Sequence, residues 1–442
     1  MNKLLYLLFL SLFFLNYFHY RLAITPRFTT WVPELFAVLT FLVVALQLGF
    51  RRKFSINSKY IILILLFLAI MLIGIVLNGV QAGPIFVGIR VYLKHLPFFL
   101  LPAVYDFSDE QFKKQLLFIL PLLILQCPLA VYQRLFQYRW LITGDVITGT
   151  FRISGTLSIV MICSIAVIVA LYLKKKIGFK FFVITGCCLF LPTTLNETKV
   201  TLFLLPVALV LPAFLFHGEG SSKTKSLLTM GLIGVLFISA FIPIYDHFMK
   251  PRAGLGIVDY LRLEREGRGY LYHGSEGETG EKVGRFDTII LSYRDVSKDL
   301  GTLMFGLGIG NVLDTYFQGF SGDASKKLQY AGGGPALPSL LWEVGLSGVV
   351  VYVAFFCFLF RDALLLRNSD DIFGSFALGW SAVIVIIGIS LVYNNFMRPN
   401  ILNFMFWYFS GVVSAKASAM RSLPQEHTRN MSAVSTMRDM MT

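Results

Sequence analysis

Windows of about twenty consecutive apolar residues recur along nearly the whole chain, each long enough to carry a helix across the hydrocarbon core of a bilayer. In lipid a backbone must satisfy its own N–H and C=O groups, and for windows of this length the helix is the structure that does so. Composition agrees. Of 442 residues 56% are hydrophobic and 14% charged, where ordinary soluble chains carry roughly 25% charged residues. No single soluble core absorbs that much apolar surface, so the expected fold class is all-α, a polytopic membrane protein.

Twelve spans are expected, at 4–19, 31–50, 60–78, 85–105, 115–134, 156–173, 181–195, 200–216, 227–245, 338–360, 372–392 and 399–415. Met1 to Phe18 has the basic start and apolar run of a signal peptide. No small-residue cleavage site follows before His19, Tyr20 and Arg21, so it reads as a retained first span. The organisation is then 1–246 with nine spans, 247–335 as one large polar loop, 336–415 with three spans, and 416–442 as a polar tail without periodicity, expected to be disordered.

The net charge of +14 raises the question of nucleic acid. Its distribution answers against it. The loop from His247 to Pro335 holds 11 basic and 11 acidic residues, so the excess lies in short loops, membrane positions and termini. With the N-terminus inside, the short inner loops carry fourteen Lys and Arg and the short outer loops seven: Arg21, Arg27, Arg134, Arg139, Arg152, Lys199 and Arg398. That asymmetry places both termini in the cytoplasm and the large loop outside it. The five cysteines all fall in apolar runs, which gives no disulfide framework and reads as core packing.

Charges within spans come first as site candidates, because each costs about 2.5–3.5 kcal/mol at a helix centre on insertion scales. Arg90 and Lys94 lie four apart and share a helix face, with His95 beside them. The loop Gly144 to Thr156 is rich in glycines that let a backbone approach a ligand closely, and it carries Arg152 at the mouth of the sixth span. Asn196-Glu197-Thr198-Lys199 forms a short charged hairpin on the same side. In the large loop, Phe286, Ile289, Ile290, Tyr293, Val296 and Leu300 make an apolar stripe at helical spacing directly after Arg285. That stripe is expected to dock the helix on the outer mouth of the bundle. Gly306 to Gly310 lacks the βαβ setting of a dinucleotide site and reads as a tight return of the chain to the membrane. The six histidines are scattered and no cysteine pair has ligand spacing, so no metal site is expected.

Taken together, Arg152-Ile153-Ser154-Gly155-Thr156, Glu197-Thr198-Lys199, Arg285 opening a helix, Gly306 to Gly310, and Leu340 to Gly348 resemble the bacterial O-antigen ligase and O-antigen polymerase superfamily of membrane glycosyltransferases. The segments cover roughly residues 120–355 in the expected order. The resemblance implies transfer of a glycan from an undecaprenyl-pyrophosphate carrier to a glycan acceptor at the periplasmic face of the bacterial inner membrane, without a cofactor or metal. It also implies Arg152 and Arg285 as a pyrophosphate clamp, with Lys199 standing where many members carry Ser-Arg; Arg90, Lys94 and His95 join them as substrate-binding candidates through their own cationic face in the fourth span. Gly334 stands where the ligase-type histidine is expected, nine residues before Glu343, which points to a polymerase of repeat units. Ligase, and a flippase or exporter of lipid-linked oligosaccharides, are the alternatives. Glu197, His273 and Glu343 are the candidates for a base that takes the acceptor proton.

Single-cysteine variants in a cysteine-free background test the topology. Positions within 247–335 should react with an impermeant thiol reagent from outside intact inner membranes, and Lys174→Cys only after the cytoplasmic side is opened. The reverse pattern would invert the assignment.

Overall fold

The computed structural model describes residues 1–51, 54–141, 143–216, 223–253, 256–258, 284–315, 318–328 and 334–439. Every regular element among them is helical. In chain order these are α1 (Asn2–Tyr20), α2 (Val32–Arg51), α3 (Ser58–Asn78), α4 (Ala82–Leu93), α5 (Leu96–Val104), α6 (Asp109–Ile124), α7 (Gln126–Tyr132), α8 (Ser154–Leu173), α9 (Phe179–Leu195), α10 (Thr201–Leu215) and α11 (Lys223–Ala253). Then follow α12 (Arg285–Val296), α13 (Leu300–Phe305), α14 (Asp323–Lys327), α15 (Ala336–Leu366), α16 (Ile372–Tyr393) and α17 (Asn400–Asp439).

Eight helices among the described residues are long and apolar enough to cross a membrane, and nine if α4 and α5, bent by 44° at Lys94 and His95, count as one broken span. The chain is therefore a polytopic helical membrane protein. The windows at 181–195 and 200–216 fall on α9 and α10, which have 17 and 15 residues. The last window falls on the start of α17, and that helix runs on past Lys416 to Asp439, where the sequence leads one to expect disorder. Residues such as Ala417, Ala419 and Met420 are good helix formers, and a helix closes its own backbone bonds without needing an apolar periodicity.

The bundle is organised around α8 and α16. In each, 78% of the apolar window is buried, against 22% in α2 and 17% in α11. Neither has a polar face, as expected of helices enclosed on all sides. Gly379 of α16 faces the backbone of Ala166 and Val167 on α8, the small-residue contact that lets membrane helices approach closely.

Helix α15 is broken within its apolar run. Gly345 has φ 66° and ψ −169°, outside helical geometry. An unbroken helix would pair the Trp342 carbonyl with the amide four residues on. Here the Leu307 amide donates to it at 2.6 Å, and the Ser347 hydroxyl donates to the Met304 carbonyl. The glycine-rich segment 306–310 thus fills the break. Gly310, at φ 77°, lies so close to α4 that a Cβ there would collide with the Pro84 carbonyl. The segment does turn the chain tightly, and it is also wedged between α3, α4 and α15.

Helix α12 docks by a face beside the predicted apolar stripe, sharing with it the buried Val296 and the half-buried Ile289. Its buried residues are Thr288, Ser292, Asp295 and Val296. Trp342 Nε1 donates to Asp295 at 3.2 Å, whereas Phe286, Ile290, Tyr293 and Leu300 are exposed. A helical period identifies an apolar face but not what covers it, and beside a bilayer that face needs no protein cover.

The opposite end of the bundle is closed by Asp362. Its buried carboxylate accepts from Lys59 Nζ at 2.9 Å, Tyr60 Oη at 2.7 Å, Ser414 Oγ at 2.8 Å and Arg421 Nη2 at 2.6 Å, tying α3, α15 and α17 together.

Gly310→Ala should lower stability by on the order of 2–6 kcal/mol, combining left-handed strain with overpacking against α4. Gly319→Ala, where a Cβ meets open space, should change little. Thermal unfolding of both detergent-purified variants checks this, and equal midpoints would contradict the wedge.

Candidate functional site

At the end of the bundle opposite Asp362, α7 runs into a π-helical turn, Gln133–Gln137. The extra residue in such a turn redirects side chains, a frequent device near functional sites. It turns Gln133 and Arg134 inward, where both are buried. Gln133 Oε1 accepts from the amides of Thr148 and Gly149 at 3.1 and 2.9 Å, and its Nε2 returns a bond to the Gly149 carbonyl at 2.8 Å. Gln126 accepts from the Thr150 amide at 2.8 Å and its hydroxyl at 3.1 Å. Arg21, from the end of α1, donates to the Tyr138 hydroxyl at 2.8 Å, the Val146 carbonyl at 3.0 Å and Thr148 Oγ1 at 3.2 Å. The loop that carries Arg152 is therefore fixed by side chains from two helices.

Arg134 makes a buried ion pair with Glu197, and Glu197 Oε2 accepts from the Gly144 amide at 2.7 Å. Glu197 itself has φ 58°, a backbone position that a non-glycine residue holds only where its surroundings enforce it. Gly144 and Gly149 make room for the side chains of Glu197 and Gln126, so these glycines serve the protein's own network where the sequence suggests contact with a ligand. Arg134, counted in sequence with the outer loops, is inside the protein.

The hairpin after α9 is tied to the same place. Asn196 Nδ2 donates to the Ser154 carbonyl at 2.9 Å and to Ser158 Oγ at 2.8 Å, and Lys199 is half-buried beside it. At the start of α8, Gly155 faces the Asn394 amide side chain. The Asn394 carbonyl accepts from the Ala336 amide at 3.1 Å. Asn395 Nδ2 reaches the Gly334 carbonyl at 3.4 Å, and Gly334 in turn faces Thr288 of α12. Arg285 Nη1 donates to the Tyr393 carbonyl at 2.8 Å, with its guanidinium 3.7 Å from the Tyr393 ring centre. The segments around residues 152, 196, 285, 334 and 394, scattered along the chain, meet through the short connection that follows α16.

Arg152 is exposed and its guanidinium lies 4.6 Å from the Tyr20 ring centre; it makes no ion pair with a described residue. A second, linked cluster holds the fourth-span residues. Arg90 pairs with Glu34 at 2.8 Å and covers Trp31. Asn400 bridges the two, donating to Glu34 at 3.2 Å and accepting from Lys94 at 2.5 Å. His95 is buried, stacked on Trp407 with ring centres 4.6 Å apart. Glu343 is 1% exposed. Tyr92, Arg398 and the Gly310 and Val312 amides surround it, yet neither carboxylate oxygen is at hydrogen-bond geometry. His273 lies outside the described residues.

Sequence reading names Asn196 only within the charged hairpin and Arg134 only among the outer-loop cations, and does not single out Gln126, Gln133, Asn394, Asn395 or Asn400. Polar side chains within apolar windows were the available signal, but amides carry no charge and their partners are remote in sequence. No protein-family model matches the chain, and no curated protein sequence matches it.

Arg134→Ala should cost about 3–5 kcal/mol, because it leaves the Glu197 carboxylate buried without its cation. Arg134→Met combined with Glu197→Gln should recover part of that loss. The check is the unfolding midpoint of each variant, and an unchanged Arg134→Ala protein would mean the pair is not buried.

Proposed function

We propose that the protein is a polymerase of lipid-linked glycans, joining undecaprenyl-pyrophosphate-linked oligosaccharide repeat units into a surface polysaccharide. The observation that supports it is the convergence just described: segments whose sequence resembles that superfamily, among them Arg152–Thr156, the Glu197–Lys199 hairpin and Arg285, gather at one end of the bundle around Tyr393–Asn395. In this reading twelve passes alternate with both termini cytoplasmic, so the Arg152 end faces the periplasm of a bacterial inner membrane.

The reaction breaks the bond between the anomeric carbon and the pyrophosphate oxygen, forms a new bond from that carbon to the oxygen of an acceptor hydroxyl, and releases the carrier pyrophosphate with the electron pair while the hydroxyl proton passes to the released pyrophosphate or to water. Negative charge grows on the leaving group, and fixed cationic donors lower the barrier where that charge appears. Arg152 and Arg285 supply forked donors suited to phosphate oxygens. The hydrogen bond and ring contact with Tyr393 hold Arg285 in place. Glu197, engaged by Arg134 and the Gly144 amide, acts as a positioning group for the loop, and not as the base. Arg90 is neutralised by Glu34, so Arg90 and Lys94 shape the neighbouring wall.

Arg152→Ala or Arg285→Ala should lower polymer formation from about thirtyfold to several thousandfold, the range for losing one member of a hydrogen-bonded charge pair in the transition state. Lys at either position should restore part of it. The assay is the chain-length profile made by purified protein from lipid-linked repeat units, alongside the distribution of those units in cells. Normal polymer at normal protein level would overturn the clamp. Units held in the cytoplasmic leaflet would assign the protein to export instead.

A further inference from the structure

A long groove of about 650 Å³ runs along the bundle between α6, α8, α16 and α17, a volume within the range of about 300–1,000 Å³ found for ligand sites. Its walls on α16 extend from Ile372 to Ile387, about 22 Å at 1.5 Å per residue. That exceeds half of a hydrocarbon core about 30 Å thick. The groove opens sideways past Leu117 and Phe181, which are 57% and 42% exposed.

Its polar residues gather at the end remote from Arg152. There Asp109, Glu110, Lys113 and Lys176 line the mouth. Asp109 lies in the first turn of α6, where the helix dipole favours a carboxylate. Glu110 is taken by Lys114 at 2.6 Å. Lys113 and Lys176 are exposed and form no ion pair with a described residue. The groove thus presents an apolar slot whose charged end carries, beside Asp109 and the paired Glu110, two exposed lysines.

We propose that this groove holds a membrane phospholipid with an anionic headgroup, its acyl chain along α8 and α16 and its phosphate at Lys113 and Lys176. The headgroup lies in the leaflet opposite the Arg152 end, so this lipid is distinct from a donor whose pyrophosphate meets Arg152 and Arg285. The inference does not depend on the glycan reading.

The test uses the purified full chain in neutral detergent with phosphatidylglycerol or phosphatidylcholine carrying the same photoreactive acyl chain, and maps the labelled peptides. Phosphatidylglycerol should label α6 and α8 about tenfold more than phosphatidylcholine does. Lys113→Gln with Lys176→Gln should erase that preference, two lysines near a membrane surface each contributing severalfold to binding of an anionic lipid. Ser164→Trp, within the groove, should reduce labelling by both lipids without lowering the unfolding midpoint. If the double variant fails to fold, the ratio between the two lipids on the unaltered protein decides. Equal labelling by both would overturn the headgroup assignment, and removal of the label by an equal amount of polyprenyl phosphate would give the groove to an isoprenoid chain instead.

Discussion

The bond from the Leu307 amide to the Trp342 carbonyl is the contact on which the rest of the Arg152 end depends. A helix that breaks within an apolar run leaves backbone groups that lipid cannot satisfy, each worth several kcal/mol. The glycine segment satisfies one of them from a part of the chain that is not itself a span. Because the segment lies against α3 and α4 as well, the break becomes a joint between helices remote in sequence. Trp342, held at that joint, then donates to Asp295 and seats α12. The placement of Arg285 at the head of α12 follows from this chain of contacts.

The network around Arg134 sorts the cations of that end into two kinds. Arg134 is consumed by Glu197, Arg90 by Glu34, and Arg21 by a phenol, a carbonyl and a threonine. Removing such charges from water costs several kcal/mol per ion, and a partner in good geometry offsets it. These residues hold the loops in place. Arg152, stacked on Tyr20 and exposed, keeps its charge available to an anion. A count of basic residues by loop treats all of them alike; only the geometry separates the structural ones from those a ligand can meet.

What the sequence makes legible follows the range of the forces involved. Hydropathy is local, so every expected apolar window falls on a helix, but it does not mark the breaks inside two of them, at Lys94 and His95 and at Gly345. The apolar stripe of α12 is real, yet its direction depends on Asp295 meeting Trp342, 47 positions away. Arg134 and Glu197 are 63 positions apart, and neither the π-helical turn nor the left-handed backbone at Glu197 has a composition that betrays it. The grouping of Arg152, Arg285 and Gly334 was suggested by resemblance alone. Its common anchor, Tyr393 to Asn395, lies in a connection of neutral polar residues that reads as an ordinary turn.

The two ends of the bundle solve the same electrostatic problem in opposite ways. At one end a single carboxylate, Asp362, receives two cations and two hydroxyls from two other helices. Its oxygens are fully occupied, and opening that end means stripping four donors from a buried anion. At the other end the ion pairs Arg134–Glu197 and Arg90–Glu34 stand beside amides, glycines and backbone carbonyls that fix geometry without cancelling charge. That division leaves Arg152 held by a ring contact with Tyr20 and without an ion pair to a described residue, while the loop that carries it is fixed by other side chains. Preorganised charge of this kind carries little reorganisation cost when negative charge develops against it. The asymmetry between a saturated carboxylate at one end and an exposed arginine at the other therefore sets the two ends of the bundle apart electrostatically, with charge open to an anion at Arg152.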